Sequence, residues 1–489
     1  MSERASKGAK RVVVIGAGLS GLAAAQRLAA RAAAAARKPF EVVLIDAKGR
    51  AGGAIWTRQH GGFTLEGGAD SFITNKPQAV ELCRELGLES RLIPTDNRYR
   101  RSFVVRQGRL APVPEGFVLM APNRLLPLLT TPILSARGKL RMFMEPLIPR
   151  KSEEGDESLA AFVRRRLGRE VLERLVQPLV GGIYTADPAD LSLKATLPQF
   201  AAMEREHGSL FRAARHQVKK TRIVERESAG ARYGLFLTID DGMETLTRKL
   251  VESLPPGTLR LNTPVRRVGR NEANDLWRVE LLDGPPIDAR AVLLTTESHA
   301  AARLLDGFDP ELALHLRSIP YASSVIANVA YRRDQVAHPL DGFGAVVPAI
   351  ENRSILAVSF TSVKFPSRAP AGTVLMRVFI GGATQPELFD LSEPEVETLI
   401  ARELGELLGV TGTPLLMEIA RHARAMPQYT LGHLDRVGSI RARLSAHSGL
   451  LIAGNAFDGV GIPDCIRSGQ TAAEAVAELF APAGAIAAA

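Results

Sequence analysis

Three glycines near the start of the chain have the spacing of a phosphate-binding turn. Gly16, Gly18 and Gly21 form G-x-G-x-x-G directly after the apolar run Val12–Ile15, and an alanine-rich segment of helical composition follows. In such a turn the first glycine makes the bend, the second admits a pyrophosphate, and the third lets helix and strand pack closely. The pattern therefore predicts a strand, a turn and a helix whose N-terminus binds a dinucleotide.

A second strand and an acidic residue complete this unit. The apolar run Val42–Ile45 ends at Asp46, whose carboxylate can accept hydrogen bonds from a ribose hydroxyl. Arg50 and the pair Gly52-Gly53 follow, where a nicotinamide-binding domain would normally continue with another strand and helix. A second glycine pair suits an extended chain that passes beside a pyrophosphate and a flavin ring. We therefore expect FAD as the cofactor.

A related pattern occurs close to the C-terminus. The stretch GLLIAGNAFDGVGIPDCIRSGQ carries Gly454, Gly459 and Gly461 between an apolar strand and a helix. Glycine is favoured where the backbone must adopt a positive φ or approach another group closely. The positive end of the helix dipole suits the N1–C2=O edge of an isoalloxazine ring, where negative charge collects on reduction. We expect this loop to form the other half of the flavin site.

Length and charge limit the remaining classes of function. At 489 residues the chain is too long for one simple core, and 46% hydrophobic with 23% charged residues is ordinary for a globular protein. Lys and Arg exceed Asp and Glu by 62 to 52, a net charge of +10. Because zinc-ligand spacings and RNA-binding signatures are missing from the sequence, we expect an acidic ligand or an anionic membrane surface and no nucleic acid.

Cysteine usage and the N-terminus indicate the compartment. The chain has two cysteines, Cys83 and Cys465, far apart in sequence. They form no disulfide framework, which fits a reducing cytosol. The polar leader MSERASKGAK has no apolar segment of the signal-peptide kind. We expect a cytoplasmic protein without a metal site, in which Cys465 is a buried structural thiol and no covalent flavin link is formed.

Several stretches together resemble a known family. GAGLSG (16–21), RAGG (50–53) and EGGADSF (66–72) resemble the FAD-dependent amine oxidase superfamily. The sequence also resembles the oxygen-dependent protoporphyrinogen oxidases, including the bacterial members that oxidise coproporphyrinogen III. The stretches that carry this closer resemblance are LVGGIYTADPADLSLKATLPQF (179–200), DGFGAVVP (341–348), MPQYTLGH (426–433) and GNAFDGVGIPDCIRSG (454–469). The resemblance covers nearly the whole chain.

The resemblance implies an α/β fold with three parts: a Rossmann-like FAD-binding domain, a mixed-sheet substrate domain and a helical subdomain. The FAD-binding domain would be discontinuous, formed by residues 11–75, 238–300 and 440–480. Residues 76–237 and 301–439 would form the substrate-binding domain, with the helical, membrane-facing subdomain near 95–210. Val265 would lie against FAD, and the strand within 288–301 would return to the FAD sheet.

These arguments select a set of candidate site residues. The expected cofactor-binding residues are Gly16, Ala17, Gly18, Leu19, Ser20, Gly21, Asp46, Arg50, Gly52, Gly53, Gly67, Gly68, Ala69, Asp70, Val265, Gly454, Asn455, Val460, Gly461 and Ile462. The expected substrate residues are the cations Lys76 and Arg101, Gly182, where a side chain would obstruct a macrocycle, and the apolar walls Phe343, Val346 and Phe379. For each wall, ordinary core packing is the alternative. Family members often carry an anchoring Arg where this chain has Ser102, so the propionate anchor is open: Lys76 and Arg101 are the candidates, and an ordinary solvated side chain is the alternative for each.

The resemblance implies oxidation of a porphyrinogen to a porphyrin in haem biosynthesis. Six electrons leave in three two-electron steps, and the flavin carries that chemistry by accepting hydride and passing electrons to O2, giving H2O2. We therefore expect no catalytic side chain. Protoporphyrinogen IX and coproporphyrinogen III both remain open as substrates. The alternatives are an amine oxidase or carotenoid desaturase of the same superfamily, and a non-catalytic porphyrin- or flavin-binding protein.

The segment 116–150 is the most apolar of the chain, but prolines and Arg124 interrupt it. Because it offers no clean run of 18 apolar residues, we expect at most peripheral contact, on the inner face of the cell membrane. Packing of this segment inside the protein is the alternative. Hand-over of product to the next haem-pathway enzyme and a homodimer are further expectations that the sequence leaves open.

Overall fold

The computed structural model describes residues 10–35, 39–118, 120–122, 125–151, 155–216 and 236–480. Its strands are β1 (Arg11–Ile15), β2 (Glu41–Ile45), β3 (Thr57–His60), β4 (Phe63–Glu66), β5 (Phe72–Ile73), β6 (Leu92–Pro94), β7 (Phe103–Arg106), β8 (Arg109–Pro112), β9 (Phe117–Val118), β10 (Ala121–Pro122), β11 (Phe236–Ile239), β12 (Leu259–Arg260), β13 (Val265–Asn271), β14 (Leu276–Leu281), β15 (Ile287–Ala289), β16 (Ala291–Leu294), β17 (Tyr321–Arg332), β18 (Gly344–Val346), β19 (Ala357–Ser359), β20 (Thr373–Gly381), β21 (Leu416–Pro427) and β22 (Leu450–Ile452).

The α-helices are α1 (Leu19–Ala34), α2 (Gln78–Glu85), α3 (Leu126–Thr130), α4 (Ala136–Phe143), α5 (Leu159–Arg166), α6 (Arg169–Val171), α7 (Gln177–Tyr184), α8 (Leu193–Thr196), α9 (Pro198–His207), α10 (Glu244–Glu252), α11 (Ser298–Leu305), α12 (Pro310–Arg317), α13 (Thr361–Lys364), α14 (Glu393–Leu408), α15 (His433–Ser445) and α16 (Ile462–Glu478). A π-helical turn, Leu172–Val176, joins α6 to α7.

A five-stranded parallel sheet lies at the centre of the first half of the molecule. Its strand order is β12-β2-β1-β16-β22, so it collects strands from the two ends of the chain and from the middle. β1 lies between β2 and β16, and four of its five residues are buried, as an apolar strand covered on both faces should be. The strand expected within 288–301 is confirmed as β16, which pairs with β1 and β22.

Separate apolar clusters cover the two faces of this sheet. On one face, α1, α2, α10 and α16 pack over Val12, Val14 and Leu293. On the other face, the antiparallel sheet β13-β14-β15 and helices α11, α12 and α15 pack over Val13, Ile15 and Val292. The layers confirm the Rossmann-like α/β class predicted from the sequence. The boundaries of a discontinuous FAD-binding domain stay a prediction.

A seven-stranded mixed sheet forms the second half. Its order is β21-β17-β20-β19-β18-β7-β8, and all pairs are antiparallel except β18 with β7. α14 covers one face with Val396, Ile400 and Leu404. This helix is defined by strong local signals, since Ser392 and Glu395 form a capping box and Gly409 ends it at a φ of +61°. The opposite face of the sheet, called the site face below, is turned towards residues 66–70.

A helical region between β10 and β11 packs against the mixed sheet. α5, the π-helical turn, α7 and α9 surround a core that includes Phe162, Leu175 and Val180. Among the described helices, none combines the length and the apolar character needed to cross a bilayer. Arg124, one of the residues that interrupts the apolar segment, lies outside the described residues.

Candidate flavin and substrate site

The G-x-G-x-x-G turn connects β1 to α1, and its three glycines have different reasons to be glycine. Gly16 has a φ of +108°, which other residues rarely adopt. A Cβ on Gly21 would lie 1.9 Å from the carbonyl oxygen of Gly16, so this position permits the close packing of turn and helix. A Cβ on Gly18 would meet no protein atom within 4 Å. Gly18 therefore borders open space in front of the helix, which is where a pyrophosphate would lie.

The backbone of this turn is organised around Asp46. Its Oδ2 accepts a hydrogen bond from the amide of Ala17 at 2.6 Å, and its Oδ1 accepts one from the amide of Lys48 at 2.8 Å. The side chain is half-buried, so further lone pairs of the carboxylate face outward. Asp46 thus fixes the turn, and it can still accept a ribose hydroxyl.

The second glycine pair lies directly against the turn. The amide of Gly52 donates to the carbonyl of Ala17 at 2.8 Å, and Gly18 and Gly52 form an isolated parallel bridge. The guanidinium of Arg50 donates to the carbonyls of Ala51 (3.1 Å) and Ile55 (2.9 Å). Arg50 therefore holds its own loop beside the glycine turn. A direct contact of Arg50 with the cofactor stays a prediction.

Helices α1 and α16 run parallel in close contact, so their N-termini lie at the same end. Ser20 Oγ donates to the carbonyl of Cys465 at 2.9 Å, and a Cβ on Gly469 would lie 2.1 Å from the Ser20 carbonyl oxygen. Further along, Arg31 pairs with Glu474 at 2.7 Å. The N-cap residues Gly18 and Gly461 provide no side-chain cap. Two helix N-termini without side-chain caps thereby lie side by side, and the positive ends of their dipoles suit an anionic cofactor.

The C-terminal glycine loop, residues 453–461, leads from β22 into α16. Gly454 has a φ of +136°, and its amide donates to Ser468 Oγ at 3.0 Å. The side-chain amide of Asn455 donates to the carbonyl of Ala425 at 3.4 Å. Leu19 and Ile462, the first residues of the two helices, are both 8% exposed. Burial raises the pKa of the Cys465 thiol to about 12, which keeps it protonated.

Residues 66–70 link the half of the molecule that contains the glycine turn to the mixed sheet. A Cβ on Gly67 would lie 1.7 Å from Trp56 Cε2, and one on Gly68 would lie 2.1 Å from the Ala54 carbonyl oxygen. These two glycines therefore permit close packing against residues 54–56. Ala69 is exposed and Asp70 is buried.

Three side chains of the site face bind the backbone of this segment. Asn328 donates to the carbonyl of Glu66 at 3.0 Å, and Arg377 donates to the carbonyl of Gly68. His422 Nε2 lies 2.7 Å from the carbonyl oxygen of Gly67. Burial lowers the pKa of His422, so the neutral ring is favoured and its Nε2–H is the donor. The mixed sheet and residues 66–70 are thus held together by specific polar contacts.

Asp70 belongs to the same network. Its carboxylate pairs with Lys364 at 3.1 Å and with Arg377 at 3.3 Å. Although burial alone would raise the pKa of Asp70, the two cations hold it well below its usual range. Asp70 is therefore ionised at neutral pH and paired with Arg377 of β20 and Lys364 of α13, and a direct contact with the cofactor stays a prediction. Val265 begins β13 and is half-buried beside the five-stranded sheet, and its contact with FAD is likewise untested.

An apolar row crosses the site face. Val346, Ala357, Phe379 and Ile326 are direct neighbours in register on four adjacent strands. Val346 and Phe379, two of the predicted walls, are half-buried, and Val346 packs against the core of the helical region, so their role as walls stays a prediction. A Cβ on Gly182, in α7, would lie 3.6 Å from Val346 Cγ1. The structure therefore brings three of the predicted substrate residues to one region.

The remaining predicted substrate residues, Phe343, Lys76 and Arg101, are not part of the apolar row. Phe343 lies just before β18, three residues from Val346. Because successive side chains of a strand point to opposite faces, this odd spacing does not place Phe343 in the apolar row. Lys76 Nζ binds both carboxylate oxygens of Asp464, at 2.7 and 2.6 Å, in the first turn of α16. Arg101 pairs with Asp341. Both cations are thus already paired, and their role as propionate anchors stays a prediction.

Sequence reasoning missed the residues that join the two halves, namely Asn328, Lys364, Arg377 and His422. One sequence feature could have indicated Arg377, because it interrupts the apolar strand TVLMRVFIG (373–381). A buried cation at such a position needs acceptors from another element. Within the described ranges, His, Cys, Asp and Glu side chains form no group of three or more that could hold a metal ion.

Comparison with known proteins agrees with this geometry. The family model described as flavin containing amine oxidoreductase matches residues 19–477. The coproporphyrinogen III oxidase of Bacillus subtilis (strain 168) is 34% identical over 481 residues, which cover 97% of this chain and 100% of that protein. The coproporphyrinogen III oxidase of Propionibacterium freudenreichii subsp. freudenreichii is also 34% identical, with 95% and 90% covered.

Solved structures show the same fold. The crystal structure of a proposed protoporphyrinogen oxidase from Exiguobacterium sp. 255-15 superimposes with a TM-score of 0.83 at 30% identity, covering 96% of this chain and 99% of that one. A UDP-galactopyranose mutase shares the fold at 14% identity and a TM-score of 0.70, with 96% of each chain covered. The open space at Gly18, the uncapped helix ends and the outward lone pairs of Asp46 fit an adenine dinucleotide that carries a flavin. The chain belongs to the flavin-containing amine oxidoreductase family, and its cofactor is FAD.

Proposed function

We propose that this protein is an oxygen-dependent porphyrinogen oxidase whose preferred substrate is coproporphyrinogen III. The observation that carries the proposal is its similarity to coproporphyrinogen III oxidases of three bacteria, at 31–34% identity over 95–97% of the chain. Protoporphyrinogen oxidases of plants are 27–30% identical over a similar span. The proposed reaction converts one porphyrinogen and three O2 into one porphyrin and three H2O2.

The site face supports a flat, apolar substrate. The row formed by Val346, Ala357, Phe379 and Ile326 offers a wall without hydrogen-bonding side chains, and Gly182 leaves space beside it. When bound, the flavin supplies the redox chemistry, accepting hydride from a meso carbon and delivering electrons to O2. The chain's own part is to bind and orient the macrocycle and to exclude water from it. With each hydride a pyrrole nitrogen loses a proton, and a proton is taken up when O2 is reduced to H2O2, so the proposal assigns no side chain as acid or base.

The propionates of the substrate would meet cations at the edge of this wall. We propose Lys76 and Arg101 for this role, in competition with their partners Asp464 and Asp341. Coproporphyrinogen III carries four propionates and protoporphyrinogen IX two, so each added cation contact favours the former. Because both side chains are more than 40% exposed, the effect of each is small, ~0.2–1 kcal/mol.

The test is a side-by-side assay of both porphyrinogens with the FAD-loaded protein. Porphyrin fluorescence and an oxygen electrode together give the rate and the ratio of O2 consumed to porphyrin formed. We expect about three O2 per porphyrin and a higher kcat/KM for coproporphyrinogen III. Absence of flavin-dependent porphyrin formation would refute the proposal, and O2 uptake with primary amines instead would assign the chain to the amine oxidases.

We also propose a cytoplasmic location with peripheral contact to an anionic membrane. Leu126, Leu140 and Leu147 are 70%, 65% and 75% exposed on α3, α4 and the turn that follows. Arg137 and Arg150, in the same segment, are also exposed, and cations beside exposed leucines suit lipid headgroups. Hand-over to a following enzyme and homodimer formation stay predictions.

Vesicle co-sedimentation tests this contact. The protein should co-sediment with phosphatidylglycerol vesicles and dissociate from them in high salt. It should not bind phosphatidylcholine vesicles. Leu140→Glu with Leu147→Glu should abolish binding. The matched control is Leu314→Glu, at a residue 62% exposed on α12. Equal loss in the control, or release by detergent alone, would contradict a peripheral contact through this surface.

A further inference from the structure

Tyr429 connects two parts of the C-terminal glycine loop through one hydroxyl. The residue follows β21 and is 2% exposed. Its Oη donates to the carbonyl of Asn455 at 2.6 Å and accepts a hydrogen bond from the amide of Gly459 at 2.8 Å. Between these two contacts, Ala456 and Phe457 are buried against the five-stranded sheet. The hydroxyl therefore closes the loop just before α16 begins.

The ring of Tyr429 is itself held in place. His433 stacks on it with ring centroids 3.9 Å apart and an interplanar angle of 13°. His433 is fully buried, and burial lowers its pKa to about 4, so the partner ring is neutral at pH 7. Burial also raises the pKa of Tyr429, which keeps the proton that the hydroxyl donates to Asn455. The orientation of the hydroxyl is thus fixed by packing on one side and by two backbone groups on the other.

The backbone around Tyr429 is tied to the helical region. The amide of Ser192 donates to the carbonyl of Tyr429 at 2.8 Å, and the amide of Leu431 donates to the carbonyl of Asp190 at 2.9 Å. Gln428 Nε2 donates to the carbonyl of Tyr184, the last residue of α7, at 3.1 Å. The segment 427–433 therefore lies between the glycine loop and the helix that carries Gly182.

We propose that Tyr429 is a positioning residue that sets the C-terminal glycine loop and the N-terminus of α16 for the flavin. The inference rests on the proposed flavin chemistry, and it assigns to the hydroxyl a function that the glycines of the loop cannot perform. Glycines make the loop backbone adaptable, and a single buried hydroxyl selects one conformation from those available. The positive end of α16 is thereby held where a reduced, negatively charged flavin benefits from it.

Tyr429→Phe tests the proposal, because it removes both hydrogen bonds and retains the stacked ring. Three quantities are measured: the FAD dissociation constant of the apoprotein, the reduction potential of the bound flavin, and the melting temperature of the apoprotein. We expect the dissociation constant to rise ~10-fold or more, since two backbone groups lose a buried partner. We also expect a more negative reduction potential. A purely structural role would lower the melting temperature and leave the other two quantities unchanged.

Two control variants separate the hydroxyl from general packing. Tyr331→Phe alters a tyrosine 1% exposed in the apolar core of the mixed sheet. His433→Phe keeps the stack and both hydroxyl contacts. Both should bind FAD like the wild type. An unchanged FAD affinity in Tyr429→Phe, or an equal loss in either control, would overturn the inference. If the wild type binds FAD and Tyr429→Phe weakens it, the inference stands even where porphyrinogen is not oxidised.

Discussion

The glycine turn offers a substitution that should remove the cofactor and spare the fold. Gly18 has φ −71° and ψ −179°, an extended conformation that valine adopts readily. A Cβ at this position meets no protein atom within 4 Å. Gly18→Val should therefore change the stability of the apoprotein by no more than ~0.5 kcal/mol. Its side chain would occupy the space in front of the α1 N-terminus.

The expected loss of affinity follows from the contacts that the side chain blocks. Hydrogen bonds from amides to a charged phosphate contribute ~1.5–3 kcal/mol each, and the helix dipole adds up to ~1 kcal/mol. Loss of one such bond together with the dipole contribution amounts to ~1.5–4 kcal/mol, an increase of roughly 10- to 1,000-fold in the FAD dissociation constant. Fluorescence quenching of FAD titrated with apoprotein measures this increase.

Gly21→Ala is the matched comparison within the same motif. Its Cβ would lie 1.9 Å from the Gly16 carbonyl oxygen and 2.5 Å from Thr295 Oγ1, so the backbone must move. We expect a loss of ~1–3 kcal/mol or more in the stability of the apoprotein, seen as a lower melting temperature. Wild-type FAD affinity in Gly18→Val would refute the reasoning, and so would an apoprotein of Gly18→Val that unfolds as readily as Gly21→Ala.

Further expected outcomes concern the substrate and the ion pairs. Lys76→Ala and Arg101→Ala should each raise KM for coproporphyrinogen by up to about fivefold, and by less for protoporphyrinogen; equal effects on both substrates would place the anchor elsewhere. Gly182→Leu should raise KM for either porphyrinogen with FAD retained, because it fills the space beside Val346; an unchanged KM would remove Gly182 from the slot. Asp70→Asn should cost ~3 kcal/mol at pH 7. Since the native pKa of Asp70 is depressed, the difference in stability from the wild type should persist above about pH 4 and shrink below it; a constant difference down to pH 3 would contradict this. Acid precipitation should release the yellow colour to the supernatant, because the thiol of Cys465 stays protonated; colour retained in the pellet would indicate a covalent link.

The parts of the site that sequence could predict are those that depend on local backbone geometry. Gly16, Gly18, Gly21 and Asp46 lie within one strand–turn–helix–strand unit, where spacing alone determines the turn. Lys76 is different, because its carboxylate partner is 388 residues away and belongs to α16. A sequence does not distinguish a solvated cation from a paired one. The partner of Lys76 could therefore be identified only from the fold.

The network around residues 66–70 was beyond sequence reasoning for a similar reason. Arg377, Asn328 and His422 come from three neighbouring strands, and their common target is a set of backbone carbonyls. The residue types of a segment do not reveal which of its backbone carbonyls accept hydrogen bonds from side chains. The β17–β21 pairing also shifts register between Ala322 and Ser324, next to the pair Ser324–His422. Such a bulge is difficult to predict from one sequence.

The alternation of the mixed sheet has a consequence for altering specificity. Even-numbered residues of β17, such as Ile326, face the site, and their odd-numbered neighbours, such as Val325, lie in the core under α14. On β20 the odd-numbered residues, such as Phe379, face the site, and the even-numbered residues, such as Val378, lie in the core under α14. Substitutions at Ile326 and Phe379 should therefore alter the site face without altering the packing under α14 on the opposite face. A combinatorial library over these few positions would explore new macrocyclic substrates on an unchanged scaffold.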